Sequence, residues 1–248
     1  MPAQEVLHRH FARIGARLKL GLGVPASRLA EKVRIDVARD NAGEFYDIRC
    51  LDGVEPEVID VRPSARHLLL MVRDGPMKNK YLLGHDERHW FAAAAPGGHV
   101  RDVATAVASL RPEEAAGDGV IRQGEWFFVP APGLVVSRAV IHRFEPLSRG
   151  GRSKPHVCDE AARRDGVAVM VSRRAPAGIT MEEYWRLLAE DPSAGRLSWR
   201  QMMRDAAVFA RGRVRHPDHR TVWLDGWHRV FLNRERFAPH ARQIAFLD

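Results

Sequence analysis

Short apolar segments separated by turn residues dominate the first half of the chain and constrain its fold most strongly. Residues 33–37 alternate between valine or isoleucine and a charged residue, and apolar runs follow at 58–61 and 67–72. Alternation with a period of two places apolar side chains on one face of a strand. The sequence Asp74-Gly75-Pro76 is typical of a turn after such a strand. The pattern predicts several short strands joined by tight connections.

The N-terminal segment has a different period. Its apolar residues recur every three or four positions over residues 3–20, which predicts an amphipathic helix. Two interpretations are open: a helix packed on the core of the protein, or a helix lying on a membrane surface. Packing on the core is favoured, and Gly21-Leu22-Gly23-Val24-Pro25 is expected to end the helix.

Other segments predict shorter helices. Thr180 and Glu183 have the spacing of a capping box, which predicts a helix that ends near residue 190. We also expect helices over 100–110, 156–164 and 198–205. Helices and strands alternate without the regular period of βαβ units. The predicted fold class is therefore α+β, with a mostly antiparallel sheet, several short helices and an N-terminal amphipathic helix.

The net charge of the chain is confined to its second half. The 248 residues carry a formal charge of +8. Residues 1–136 contain 18 basic and 18 acidic residues, whereas residues 137–248 contain 21 basic and 13 acidic residues. Arginine outnumbers lysine 34 to 5 throughout, so a coding bias explains the type of basic residue but not its position. We predict a charge-neutral, strand-rich half at 1–132 and a basic α+β half at 133–248, with one continuous domain as the alternative.

Several functional classes are excluded or disfavoured by the sequence. A hydrophobic fraction of 45% is too high for a disordered chain. The chain contains no run of about 18 apolar residues and no signal-like N-terminus, so we expect a cytoplasmic protein without a membrane partner. Two cysteines do not make a disulfide framework. The P-loop, GxSxG and CxxC patterns are all missing.

Arginine and tryptophan are concentrated between residues 211 and 227. On a strand, Arg211, Arg213 and Arg215 share one face. Arginine forks bind phosphate, and aromatic rings stack on bases, so the composition is typical of a single-strand binding surface. The alternative is that the tryptophans are core residues and the arginines pair with acids. The predicted nucleic-acid contacts are Arg149, Arg152, Lys154, Arg211, Arg213, Arg215, Arg220, Trp223 and Trp227.

Histidines in the same half are the best residues for chemistry. Two histidines can cleave RNA by acid–base catalysis, and three nitrogen or sulfur donors can hold a divalent metal. Another pair, His85 and His89, is expected to flank a hairpin turn, either as a polar tip or as a metal or acid–base site. The predicted catalytic residues are His156, His216, His219 and His228, without an assigned metal ligand set.

The sequence thus predicts a cytosolic nucleic-acid-binding protein, in the form of a nuclease or RNA-processing factor if it is catalytic. Two alternatives stay open: a metal-dependent hydrolase of a small anionic substrate, and a non-enzymatic interaction protein with a basic docking face. Whether the protein is an enzyme is not decided by its sequence.

Overall fold

The computed structural model describes residues 3–23, 33–148 and 154–234, and the backbone of 244–246. Strands outnumber helices in these ranges, and most paired neighbours are antiparallel, which confirms the α+β prediction. The helices are α1 (Ala3–Arg13), α2 (Val103–Leu110) and α3 (Met181–Glu190). The strands are β1 (Leu18–Leu22), β2 (Val33–Asp40), β3 (Gly43–Cys50), β4 (Val54–Arg62), β5 (His67–Asp74), β6 (Met77–Asp86), β7 (His89–Ala95), β8 (Ile121–Gln123), β9 (Trp126–Pro130), β10 (His142–Leu147), β11 (His156–Arg164), β12 (Val167–Val171), β13 (Ile179–Thr180), β14 (Arg200–Arg204), β15 (Ala207–Arg215), β16 (Val222–Leu232) and β17 (Ile244–Phe246).

Backbone contacts divide the chain into two compact units, formed mainly by residues 1–116 and 117–231. The first unit contains a three-stranded sheet, β1-β3-β2, and a four-stranded antiparallel meander, β4-β5-β6-β7. Strand β1 runs parallel to β3. Side chains from α1 and from both sheets share one apolar core, which includes Leu7, Phe11, Tyr46, Ile48 and Leu68.

Turn chemistry sets the register of the meander. Strand β5 pairs with β6 so that Asp74 lies opposite Met77, and Gly75 in the two-residue turn has a φ of +54°. Glycine adopts such angles without steric cost. The next turn places Asp86 opposite His89, as the sequence predicts for this hairpin.

The second unit contains a six-stranded sheet in the order β10-β11-β15-β16-β9-β8 and a four-stranded sheet in the order β13-β12-β14-β17. The predicted capping box is present: the Thr180 hydroxyl accepts from the Glu183 N–H, and the Glu183 carboxylate accepts from the Thr180 N–H. Strands β8 and β9 lie in the same sheet as the strands that follow residue 133. The domain boundary at 132 stays a prediction.

Two helix predictions are wrong, and a third is wrong in its C-terminal bound. The segment 156–164 is strand β11, and 198–205 contains strand β14. Both segments are rich in helix-forming residues, but pairing on each side overrides that preference: β11 lies between β10 and β15, and β14 between β12 and β17. The N-terminal helix ends at Arg13 instead of residue 20, because Leu18 begins a strand that pairs with β3. Among the helices of the described ranges, none is long and apolar enough to cross a membrane.

Candidate nucleic-acid interface and histidine cluster

An open cleft of about 560 Å³ lies on the six-stranded sheet of the second unit. Four neighbouring strands contribute to it, so its walls are fixed by backbone pairing instead of by loops. Sites built on strands hold their side chains more rigidly than sites on loops. The lining residues are Arg143, Phe144, Asp159, Glu160, Arg211, Gly212, Arg213, Trp223, Leu224, Asp225 and Gly226.

Two aromatic rings of the cleft face solvent. Phe144 is 63% exposed and Trp223 is 64% exposed. Phe144 also has a φ of +55°, a backbone conformation that is unfavourable for a bulky residue. The guanidinium of Arg215 lies 5.7 Å from the centroid of the Phe144 ring. These rings offer flat apolar faces for stacking.

The predicted row of arginines is present, and each member pairs with an acid on the adjacent strand β11. Arg211 binds Glu160, with its Nε 2.8 Å from the carboxylate. Arg213 Nε lies 2.9 Å and Arg215 lies 2.8 Å from the carboxylate of Asp159. The hydrogen bond from the Arg213 side chain is the main cause that holds the pKa of Asp159 below its usual value. Most of the row's charge is therefore already compensated.

Strand irregularities shape the floor of the cleft. The register between β11 and β15 shifts between Cys158 and Glu160, and that between β15 and β16 shifts near Gly212. Gly212 has a φ of +82°, and a Cβ there would lie 3.1 Å from the Cβ of Asp159. Bulges of this kind bend a strand and redirect its side chains. Arg211 and Arg213, on either side of Gly212, both line the cleft.

Trp227 and His228 do not line the cleft. Trp227 is only 8% exposed, and the guanidinium of Arg211 lies 4.8 Å from its ring centroid. His228 is 4% exposed, and its Nδ1 lies 3.1 Å from the carbonyl oxygen of Gly226. Their burial makes both side chains part of the core, so Trp223 is the better platform for stacking.

Four charged residues that line the cleft are not among the predicted site residues: Arg143, Asp159, Glu160 and Asp225. Within the described residues, neither Arg143 nor Asp225 forms an ion pair. Both side chains are exposed at the cleft. In the segment Arg143-Phe144-Glu145, a cation is next to an aromatic residue in the sequence. This adjacency is the only sequence signal for the part of the cleft that β10 forms.

Two of the four predicted catalytic histidines lie together in the second unit. His156 is the first residue of β11, and its ring stacks on that of His216 with centroids 4.2 Å apart and planes inclined by 23°. His219 follows three residues later, in the turn that leads to β16. The segment 217–220, which contains His219, groups with the first unit. His156 is 1% exposed, whereas His216 and His219 are partly exposed.

The remaining predicted contacts are dispersed. Lys154 is exposed next to the cluster, and its carbonyl oxygen accepts a hydrogen bond from Nε2 of His216 at 3.3 Å. Arg220 is exposed in the same turn as His219. Arg149 and Arg152 lie outside the described residues. Cys158, which follows His156 by two residues on β11, is buried, and burial raises the pKa of its thiol to about 12.

In the first unit, His85 and His89 flank their turn and serve local structure. His89 Nδ1 lies 2.6 Å from a carboxylate oxygen of Glu44. The His85 ring packs edge-on against Trp90 at 4.9 Å, and burial lowers the pKa of His85. Neither residue joins a group of three potential metal ligands in the part of the chain that the structure describes. The polar-tip interpretation fits these contacts better than a metal site does.

Three comparisons with known proteins found no match. No family model matches the chain. No curated protein and no solved structure matches it either. The function is therefore argued from the residues of the site.

Proposed function

We propose that the cleft on the six-stranded sheet binds single-stranded nucleic acid. The observation that supports this most strongly is the pair of exposed rings, Phe144 and Trp223, that line one cleft together with arginines. Base–aromatic stacking contributes about 1–3 kcal/mol per base and tolerates any sequence. Two rings therefore provide most of the affinity expected for a short strand.

Charge plays a smaller part than the sequence suggests. The lining contains three arginines and three acids, so the cleft is close to neutral. Arg211 and Arg213 are engaged by Glu160 and Asp159, which leaves Arg143 as the guanidinium best placed to bind a phosphate. We therefore expect a modest dependence of affinity on salt.

The same features favour single strands over duplexes. Stacking on a protein ring requires a base that is not already stacked in a helix. The carboxylate of Asp225 can accept hydrogen bonds from base N–H groups, but it repels a phosphate backbone. A duplex presents phosphates outward and hides its bases, so it fits this lining poorly.

A direct test is the anisotropy of labelled 12-nucleotide DNA, RNA and duplex probes, titrated with the full chain at two salt concentrations. We expect single strands to bind at micromolar concentration. The variant Trp223→Ala should bind about tenfold more weakly, because it removes one stacking surface. The matched control is Trp185→Ala, since Trp185 is 61% exposed on α3 and does not line the cleft.

The proposal fails if no single strand binds below the millimolar range, or if Trp223→Ala and Trp185→Ala bind as the unaltered protein does. If an acidic protein binds instead of nucleic acid, and if salt weakens that binding, the result would support the interaction-protein alternative. Catalysis by His156, His216, His219 and His228 stays a prediction. Incubation of labelled strands with and without a chelator checks it by the appearance of cleaved products.

A further inference from the structure

We infer that the cleft on the six-stranded sheet selects guanine, with Trp223 as the stacking surface and Asp225 as the acceptor of hydrogen bonds from the base. The inference rests on the proposed function and deepens it, since it names the base that one position of the bound strand carries. Both residues belong to β16 of the second unit and line the cleft.

Trp223 and Asp225 project from the same side of their strand. Leu224 between them is 1% exposed, whereas Trp223 is 64% exposed and Asp225 is exposed as well. Alternation along a strand therefore turns Leu224 to the core and its two neighbours to the cleft. Residues two apart on a strand are separated by about 6.6 Å, which is comparable with half the width of a purine plus one hydrogen bond of about 2.9 Å. A base that stacks on Trp223 thus has an edge within reach of Asp225.

An irregularity of β16 leaves open space beside Asp225. The ladder between β15 and β16 is regular up to Leu224 and resumes at His228, so residues 225–227 lie opposite a single residue of β15. Bulges of this kind redirect side chains and are frequent beside binding sites. Gly226 has a φ of +84°, and a Cβ there would have no heavy atom of the described residues within 4 Å, apart from its chain neighbours. A planar base can therefore approach Asp225 without displacing a side chain.

The carboxylate of Asp225 is available to a ligand. Within the described residues it forms neither an ion pair nor a side-chain hydrogen bond. The two arginines of β15 that line the cleft are engaged by other acids: Arg211 by Glu160 and Arg213 by Asp159. Both oxygens of Asp225 therefore keep their capacity to accept hydrogen bonds from a base.

Guanine is the base whose edge matches a free carboxylate. Its Watson–Crick edge carries two adjacent donors, N1–H and the 2-amino group, which bind the two oxygens of one carboxylate. Adenine and cytosine present one amino donor beside a ring nitrogen that only accepts, and thymine and uracil present one N–H between two carbonyls. These acceptors would lie against the oxygens of Asp225 and be repelled. A matched pair of hydrogen bonds to a base edge discriminates against the wrong base by about 5- to 100-fold.

The test uses labelled five-nucleotide strands of thymidine whose central base is guanine, hypoxanthine, adenine, cytosine or thymine. A strand this short has few alternative registers, so a preference for the central base is not averaged out. Anisotropy titrations with the full chain should show the guanine strand binding at least about fivefold more tightly than the adenine, cytosine and thymine strands. The hypoxanthine strand should bind with intermediate affinity, because hypoxanthine lacks the 2-amino group and keeps one of the two donors.

A matched pair of variants identifies the residue that reads the base. Asp225→Asn keeps the shape of the side chain but replaces one acceptor oxygen by an amide donor, so the ratio of guanine to adenine affinity should fall to about one. Asp118→Asn is the control, because Asp118 is an exposed acid of the same unit that does not line the cleft. The control should keep the ratio of the unaltered protein.

Guanosine and adenosine monophosphate, followed by tryptophan fluorescence, distinguish a strand from a free nucleotide as the source of the base. If guanosine monophosphate binds more tightly than adenosine monophosphate and no strand binds, guanine recognition is supported and the proposed function fails. Strands that bind without a preference for guanine overturn the inference and leave the proposed function standing. The inference is also overturned if Asp225→Asn retains the preference, or if the hypoxanthine strand binds as the guanine strand does. Binding of neither strands nor nucleotides overturns both.

Discussion

Within the described residues, the two units differ in whether large aromatic side chains are left exposed. In the first unit, Phe11 and Tyr46 are fully buried and Trp90 is 9% exposed. Their rings meet edge to face, with centroids 5.4 Å and 5.7 Å apart. The Tyr46 hydroxyl donates towards the carbonyls of Gly84 and Phe91, and burial raises its pKa far above the usual value. These aromatics serve the core alone.

In the second unit, three large aromatics remain in solvent. Phe144, Trp185 and Trp223 are 63%, 61% and 64% exposed. A buried aromatic removes about 150–250 Å² from water, which is worth several kcal/mol at about 25 cal/mol per Å². All three rings give up this stabilisation, and two of them, Phe144 and Trp223, lie beside arginines in one cleft. The difference teaches that exposure, more than aromatic content, identifies the rings on which the proposed binding surface is built.

The largest expected effect comes from removing a buried aromatic side chain of the first unit. Phe11→Ala should lower the free energy of unfolding by about 3–5 kcal/mol, because it opens a cavity in a packed core. Phe144→Ala should change it by less than about 0.5 kcal/mol, as an exposed substitution does. Urea unfolding followed by tryptophan fluorescence measures both. If both variants lose the same free energy of unfolding, Phe144 is a packed residue and is not part of the proposed binding surface.

Local patterns in the sequence predict local structure well. The capping box at Thr180 and Glu183 needs only residues three positions apart, and the hairpin at residues 86–89 needs only its turn and flanking strands. Strand β11 was predicted as a helix because its residues form helices readily. Its partners β10 and β15 lie elsewhere in the chain, and β15 begins more than 40 residues later.

The sequence predicted some of the residues that form the candidate site but not how these residues are arranged. The sequence identified Trp223 and the arginine row, and it grouped His156, His216 and His219 with His228. It could not show that Asp159 and Glu160 on another strand compensate the arginines. The bulge at Gly212 and the positive φ of Phe144 are outcomes of sheet pairing, which no short-range pattern encodes.

A smaller effect is expected when an arginine that lines the cleft is removed. Arg143→Ala should weaken binding of a single strand about two- to fivefold and reduce the slope of log affinity against log salt by about 0.7, because one phosphate contact is lost. Arg138→Ala removes the same charge from an exposed position outside the cleft and should leave the slope unchanged. Anisotropy titrations over a series of salt concentrations distinguish them. Identical slopes for both variants would exclude Arg143 as a phosphate contact.

The smallest effect concerns the compensated charges of the second unit. Hydrogen bonding by Arg213 holds the pKa of folded Asp159 below its usual value. A depressed carboxylate pKa stabilises the folded state above the unfolded pKa of about 3.9, and this contribution disappears as pH falls through the lower folded value. Asp159→Asn should therefore cost about 1 kcal/mol or less at pH 7, as exposed ion pairs do. The gap between variant and unaltered protein, measured by urea unfolding, should narrow below about pH 4. An asparagine oxygen still accepts the hydrogen bond from the Arg213 N–H, so the substitution removes mainly the charge of Asp159. A gap that stays constant with pH would therefore contradict a stabilising role for that charge.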